Sequence, residues 1–184
     1  MALMTGNGAA AQAGDQPVLV TGRLRLRPIE PADAGLMRLY AQDARVARMT
    51  RNIPHPLPPG ATESYIGAVL SGAARETVWA VEHRASDGGG FIGVVSLGRK
   101  GRIGYWLGAP FWSTGFATEA VEALVSHALE QGYPRLEAEV FQDNPASARV
   151  LTKAGFAYVG EGEGFSIARG ATAPVWHYAL EAGQ

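Results

Sequence analysis

A turn of small and hydroxylic residues, 112–118, lies between a strand-like segment and a helix-like segment. Residues 103–107 before it are apolar and aromatic, as in a buried strand. From 117 to 131, apolar residues recur at spacings of three and four, which predicts an amphipathic helix. Free amides and the helix dipole make a helix N-terminus a favourable place for an anion. We therefore predict that the turn holds a phosphate-bearing cofactor.

Two carboxylates are candidates for acid–base chemistry. Glu137 and Glu139 fall in the strand-like segment 136–141, and the period of two places them on one face. Either is a candidate general base, or else a solvent-facing strand residue. His83, in a strand predicted over 77–84, is a third candidate because imidazole titrates near neutral pH, although strand histidines are more often structural.

A stiff loop is predicted over 53–60, where prolines at four positions remove backbone donors. It is either a connector or one wall of a substrate pocket, because rigid loops hold ligands at low entropy cost. We assign His55 and Pro56 from this loop to the candidate substrate pocket, together with His83 and Tyr105.

Composition narrows the classes of function. Sixteen basic and seventeen acidic residues give a formal charge of −1, so no strong field favours nucleic acid or a membrane surface. The chain has no cysteine, which excludes disulfides and thiolate metal sites. Its four histidines lack ligand spacing, so no metal is expected.

The composition of residues 1–16 and the length of the chain predict a single domain preceded by a tail. Residues 1–16 are small and polar and are expected to form a disordered tail, with a single domain over 17–184. The tail has no basic segment followed by an apolar core, and no apolar run reaches membrane-spanning length. We expect a cytoplasmic protein, either monomeric or homodimeric.

The elements that position these residues follow from periodicity and turn signals. We predict helices from Pro31 through Tyr40, near 43–49, over 62–71 and from 145 to 154, and strands at 24–29, 77–84, 91–97, 102–107, 136–141, 156–161 and 174–180. A glycine-rich hairpin turn is expected at 86–90 and a loop at 161–170. The strand–helix–strand order around the turn predicts that 103–107 and 136–141 run parallel. The fold class is α+β, a mixed sheet with helices on both faces.

Four segments resemble the GCN5-related N-acetyltransferase (GNAT) superfamily, and most closely its Rim-type branch of ribosomal-protein N-terminal acetyltransferases. They are TGRLRLRPIEPAD at 21–33, IPHP at 53–56, IGYWLGAPFWSTGFATEA at 103–120 and NPASARVLTKAGF at 144–156. The resemblance runs from about residue 21 to 180. It implies an acetyl-CoA-dependent N-acetyltransferase with a mostly antiparallel sheet flanked by helices. Its central parallel strands would splay apart to hold the cofactor.

The resemblance also implies which residues contact acetyl-CoA. The family turn Q/R-x-x-G-x-G/A corresponds to Trp112, Gly115 and Ala117, with tryptophan in place of the polar first residue. Amides of the turn would bind the pyrophosphate, and amides near the end of the preceding strand would polarise the thioester. Arg149 and Lys153 could instead be solvated helix charges. The full cofactor set comprises Leu107, Gly108, Trp112, Ser113, Thr114, Gly115, Phe116, Ala117, Thr118, Asn144, Arg149 and Lys153.

The catalytic groups implied by the resemblance are fewer. The late-helix tyrosine that protonates the leaving thiolate in many relatives corresponds to Leu151, so Ser147 is the candidate acid, with a surface serine as the alternative. A common glutamate before the first parallel strand is replaced by Arg102. Glu137 matches a family position for the base and Glu139 does so less closely.

A dedicated base is not required if the acceptor amine is already neutral. A protein α-amine has a pKa of about 7.7–8.0, whereas lysine titrates near 10.4. The weak signal for a base therefore favours a peptide or protein N-terminal α-amine as the acceptor. The alternatives are a small amine, such as an antibiotic or metabolite, and a non-catalytic acyl-CoA-binding module.

Overall fold

The computed structural model describes residues 16–84 and 89–183, and these form two sheets joined by helices. Residues 1–15 of the expected tail, and most of the expected 86–90 hairpin turn, lie outside the described residues. Gln16 is described, and its Nε2 donates to the Val78 carbonyl oxygen at 2.8 Å.

The first sheet is antiparallel, and its strands follow chain order. It contains β1 (Leu19–Val20), β2 (Leu24–Pro28), β3 (Glu76–His83), β4 (Phe91–Gly98) and β5 (Ile103–Leu107). The predicted meander of β3, β4 and β5 is confirmed. Strand β1 was not predicted, because two residues are too short to show a period.

The second sheet contains β6 (Arg135–Phe141), β7 (Ala157–Ser166) and β8 (Ala171–Glu181), in the order β6-β8-β7. The predicted loop at 161–170 is wrong, because β7 continues to Ser166 and only 167–170 connect the strands. Glycines at 160, 162 and 164 hide the strand pattern, since glycine has little intrinsic strand preference. Their backbone nevertheless pairs with β8, as Gly162 with Val175 and Gly164 with Ala173 show.

The helices are α1 (Ala34–Ala41), α2 (Ala44–Ala47), α3 (Ala61–Leu70), α4 (Phe116–Glu130) and α5 (Pro145–Lys153). Each was predicted to within about three residues, and α1 follows a 3₁₀ turn at Pro31–Asp33. Residues 53–60 contain no helix or strand, as predicted.

The predicted parallel pair, β5 and β6, is present and marks the junction of the sheets. They meet at one parallel bridge, between Arg102 and Glu137, where the Glu137 amide donates to the Gly101 carbonyl at 2.9 Å. Beyond this bridge, β5 belongs to the first sheet and β6 to the second. The two strands therefore diverge toward Leu107 and Phe141, and a cleft opens between them.

Helices cover both faces of the first sheet, as expected for this fold class. On one face, α4 and α5 pack with both sheets in a core that includes Leu124, Leu136 and Leu151. On the other face, α1 and α3 pack through Met37 and Ile66. The main core therefore fixes the position of α4, the helix that begins at the predicted anion-binding turn.

Leu124→Ala is expected to destabilise the protein by about 2–5 kcal/mol, because it leaves a cavity in the main core. Leu124 is 0% exposed, whereas Leu39 on α1 is 53% exposed. Urea unfolding should show the loss for Leu124→Ala and a change within about 0.5 kcal/mol for Leu39→Ala. Equal effects from the two variants would contradict this placement of α4.

None of the helices within 16–84 and 89–183 combines the length and apolar composition that crossing a membrane requires.

Candidate active site

The turn after β5 is held in an unusual backbone conformation. Residues Ala109–Phe111 form a 3₁₀ turn, and Gly115 precedes α4 as its N-cap. Gly115 has φ +84° and Ser113 has φ +61°, both in the left-handed region. Glycine reaches this region without steric cost, so the sequence here allows the chain to reverse tightly into the helix.

The turn exposes unpaired backbone donors. Among the described residues, no acceptor lies in hydrogen-bond geometry with the amides of Ser113, Thr114, Gly115, Ala117 or Thr118. The Phe116 amide makes only a long contact, 3.4 Å, to the Thr114 hydroxyl. A concave run of amides at the start of the 15-residue helix α4 is suited to bind phosphate.

Arg23, which the sequence did not identify, lies against this turn. Its Nη1 donates to the Thr114 carbonyl at 3.0 Å, and its Nε donates to Glu119 at 2.7 Å. The guanidinium also lies 4.6 Å from the centroid of the Phe116 ring. Arg23 therefore links the turn to the first turn of α4 and fixes its conformation. No local signal could reveal this, because the partners are about 90 residues apart.

Glu119 balances the charge of Arg23 in this cluster. Burial alone would raise the pKa of the Glu119 carboxyl, but hydrogen bonds from Thr21 and Arg23 hold that pKa below its usual value. The carboxylate therefore stays ionised and keeps the guanidinium in place at neutral pH.

At the end of β5, the structure distinguishes the two amides that were predicted to polarise a thioester. The Gly108 amide donates to the Ile92 carbonyl at 2.8 Å, so it is already occupied. Because amides alternate in direction along a strand, the Leu107 amide points away from β4, toward the cleft. Trp112 closes the turn by donating from Nε1 to the Leu107 carbonyl at 2.8 Å.

Helix α5 brings Ser147 to the other side of the cleft. Asn144 caps the helix, and its Oδ1 accepts from the Ser147 amide at 3.2 Å. The Ser147 hydroxyl lies 2.6 Å from the Tyr105 hydroxyl on β5. Burial raises the pKa of Tyr105 well above its usual value, although its hydrogen bond with Ser147 opposes the shift. Leu151 is 0% exposed in the core and offers no proton.

The two glutamates of β6 share a face, as predicted, but both are ion-paired. Glu139 accepts from Arg51 and from Arg102, each at 2.5 Å, and its side chain is 11% exposed. Glu137 accepts from Arg135 at 2.9 Å and is more than half exposed. Protonating Glu139 would break two charge-assisted bonds, so it is a poor general base.

The remaining predicted residues are dispersed. His83 packs against Phe116, the first residue of α4, with ring centroids 4.8 Å apart, which places it beside the turn at 112–118. His55 and Pro56 are exposed, and the groove between the proline loop and α1 is lined instead by Leu57, Pro58 and Pro59. Arg149 and Lys153 are exposed on α5. Within 16–84 and 89–183, neither forms an ion pair.

His177 is the register partner of Glu139 on β6, so the two side chains lie on the same face of the second sheet. A Cβ on Gly162 would lie 2.6 Å from His177 Nε2, so glycine there leaves room for the imidazole. The sequence analysis missed His177. Trp176 and Tyr178 both pack in the core, so the period of two places His177, which lies between them in sequence, on the opposite face of β8. This alternation could have indicated His177.

Within the part of the chain that the structure describes, no three histidine, aspartate or glutamate side chains gather closely enough to hold a metal ion.

Comparison with known proteins identifies what this arrangement is similar to. Residues 23–157 match the model of the acetyltransferase (GNAT) domain family. A curated relative, the uncharacterised N-acetyltransferase YoaA of Bacillus subtilis strain 168, is 32% identical over 146 residues. That alignment covers 76% of this chain and 82% of YoaA. The family match over residues 23–157 includes β2, the turn and all of α5.

Solved structures share the fold. The microcin C7 self-immunity acetyltransferase MccE, in complex with acetyl-CoA and AMP, has a TM-score of 0.74 at 19% identity, covering 88% of this chain and 93% of its own. RimL, an α-N-protein acetyltransferase of ribosomal L7/L12 in complex with coenzyme A, has a TM-score of 0.76 at 19% identity, with coverages of 90% and 98%. At these identities the likeness establishes the fold alone.

Proposed function

This chain belongs to the acetyltransferase (GNAT) family, and we propose that it transfers the acetyl group of acetyl-CoA to the N-terminal α-amine of a peptide or protein. The acceptor attacks the thioester directly, with both substrates bound. The observation that carries the choice of acceptor is the state of the β6 carboxylates, both of which are ion-paired.

The acetyl-CoA part of the proposal is supported by the turn. The unpaired amides over 113–118 suit the two negative charges of a pyrophosphate. Arg23 holds the turn in this conformation through its hydrogen bond to the Thr114 carbonyl oxygen. The pantetheine arm then runs from the turn into the cleft between β5 and β6. The end of β5 then offers the Leu107 amide to the thioester, and α5 offers the Ser147 hydroxyl, which lies against Tyr105 of the same strand.

The choice of acceptor rests on which amines are neutral, and therefore nucleophilic, at pH 7. A protonated amine is not a nucleophile, so an enzyme without a free base depends on an amine that is already neutral. Roughly a tenth of an α-amine is neutral at pH 7, against less than about a thousandth of a lysine amine. Because Arg51 and Arg102 bind the Glu139 carboxylate, we expect the site to acetylate an α-amine, which needs no general base, faster than a lysine amine.

Local charge disfavours the small-amine alternative. At Glu139, two guanidiniums surround one carboxylate, and farther along the same face Arg135 pairs with both Glu137 and Glu181, so the face of β6 carries no excess negative charge. A site for a cationic small molecule would instead carry excess negative charge. The likeness to RimL, described as an α-N-protein acetyltransferase, points in the same direction.

A matched pair of peptides tests the proposal. One has a free N-terminus and no lysine, and the other has a blocked N-terminus and one lysine. We expect release of free coenzyme A thiol with the first peptide at a rate at least about 10-fold above the second. Preference for the lysine peptide would contradict the acceptor assignment. Binding of acetyl-CoA without thiol release for any peptide or small amine would favour the non-catalytic alternative.

The pH dependence of kcat/KM should follow the pKa of the acceptor amine. We expect kcat/KM to rise with pH and to level off near the acceptor α-amine pKa, about 7.7–8.0. Peptides whose N-terminal residues differ in α-amine pKa should shift the midpoint accordingly. One fixed midpoint for all peptides would contradict a base-free site, and would point to a protein base such as His177.

A further inference from the structure

We propose that Tyr105 is the proton source behind Ser147, a positioning residue that orients the serine hydroxyl and replaces the proton it gives to the leaving thiolate. This inference rests on the proposed function, because it concerns the fate of the proton during acetyl transfer.

The two side chains reach each other from different elements. Tyr105 comes from β5, on one wall of the cleft, and Ser147 from the first turns of α5, on the other. The hydroxyl oxygens are 2.6 Å apart, and the Tyr105 hydroxyl also lies 3.1 Å from the Ser147 carbonyl oxygen. Within the described part of the chain, both hydrogen-bond partners of the phenol therefore belong to Ser147.

The direction of this hydrogen bond decides what Ser147 can do. The geometry fits either hydroxyl as the donor. The phenol has one proton and two acceptors, Ser147 Oγ at 2.6 Å and the Ser147 carbonyl oxygen at 3.1 Å. Since Oγ is nearer and a phenol is a much stronger acid than an aliphatic alcohol, donation from Tyr105 to Ser147 Oγ is the more favourable arrangement. In that arrangement the serine hydrogen is free to point into the cleft. Hydrogen-bond cooperativity then makes the serine hydroxyl a better donor.

A serine hydroxyl alone is a poor general acid, because losing its proton would leave an alkoxide. A second hydroxyl group that donates a proton to the serine oxygen as its own proton leaves removes this difficulty. Tyr105 supplies that proton over the 2.6 Å bond, so the alkoxide never has to exist as a separate species. Tyr105 is mostly buried against the core, and burial raises the pKa of its phenol. The phenol is thus fully protonated over the range in which an α-amine becomes neutral.

Two protons move toward the leaving sulfur while the acetyl group is transferred. The acceptor nitrogen forms a bond to the acetyl carbon, and the carbon–sulfur bond breaks with its electron pair going to sulfur. The Ser147 hydroxyl proton moves to sulfur, and the Tyr105 proton moves to Ser147 Oγ. The acylated nitrogen loses one proton to water, and water returns one to the Tyr105 phenolate.

Tyr105→Phe tests the proposal, because it removes the hydroxyl and keeps the packed ring. We expect kcat to fall by about 10- to 100-fold, with the Kd for acetyl-CoA and the KM of the acceptor changed by less than about 3-fold. The double variant Tyr105→Phe/Ser147→Ala should be no slower than Ser147→Ala, because the two hydroxyl groups take part in the same proton transfer. Tyr65→Phe is the matched control, because Tyr65 is also a partly buried tyrosine but packs in the core on the opposite face of the first sheet, and it should keep wild-type kcat.

A proton inventory separates proton supply from simple support of Ser147. A plot of kcat against the deuterium fraction of the solvent should curve for the wild type, where two protons move, and should be straight for Tyr105→Phe. Wild-type kcat in Tyr105→Phe, or a straight plot for the wild-type enzyme, would overturn this inference and leave the proposed function intact. A wild-type protein that acetylates no amine would instead overturn the proposed function itself.

Discussion

Gly115→Glu is expected to weaken acetyl-CoA binding by on the order of 100-fold or more, equivalent to about 2.7 kcal/mol. Gly115 has φ +84°, and a Cβ there would lie 3.3 Å from Arg23 Nη2. The substitution would strain the backbone that presents the turn amides. It would also place a carboxylate where the pyrophosphate has to sit and offer Arg23 a competing partner. Calorimetric titration of acetyl-CoA into the folded variant measures the effect.

Gly132→Glu is the matched control for that experiment. Gly132 follows the other end of α4, has φ +81°, and a Cβ there would meet nothing within 4 Å. It carries the same left-handed strain and the same added charge, but lies away from the turn. We expect its acetyl-CoA affinity to stay within about 3-fold of wild type. Unchanged affinity in Gly115→Glu, or equal losses in both variants, would refute pyrophosphate binding at the turn.

Ser147→Ala should lower kcat by about 100-fold with little change in acetyl-CoA affinity, because it removes the proton donor and leaves the cofactor contacts in place. The α5 cap survives, since Asn144 accepts from the backbone amide of residue 147 and not from its hydroxyl. Steady-state thiol release, with cofactor affinity measured separately, distinguishes lost turnover from lost binding.

Ser126→Ala provides the comparison for Ser147→Ala. Ser126 is an exposed serine on α4, so its loss tests the effect of removing any helix-surface hydroxyl. We expect its kcat to equal that of the wild type. If Ser147→Ala also turned over at the wild-type rate, Ser147 would be a surface serine and the thiolate would take its proton from elsewhere.

The parts of the site that depend on local signals could be predicted from the sequence. The strand at Ile103–Leu107 has the predicted bounds, and α4 begins one residue earlier than predicted. An apolar strand, small turn residues and a helical stripe are contiguous, so short-range propensity and burial agree there. The family resemblance rests on the same contiguous segments, and the match over residues 23–157 confirms it.

The parts that depend on contacts between distant segments could not be predicted. Arg23 reaches the turn across 91 positions of sequence, and Tyr105 reaches Ser147 across 42. Glu139 was a candidate base by its strand position, but Arg51 from a loop and Arg102 from before β5 bind its carboxylate. Periodicity gives the face on which a side chain lies; it does not give the partner that folding brings to that face.

A crystal structure of the protein with acetyl-CoA bound tests the central claim most directly. We predict that the pyrophosphate oxygens accept from amides between residues 113 and 118, and that the thioester carbonyl accepts from the Leu107 amide. The sulfur should lie within hydrogen-bond distance of Ser147 Oγ, with the Tyr105 hydroxyl directly behind it. A cofactor bound outside the β5–β6 cleft, or a thioester remote from Ser147, would contradict the account.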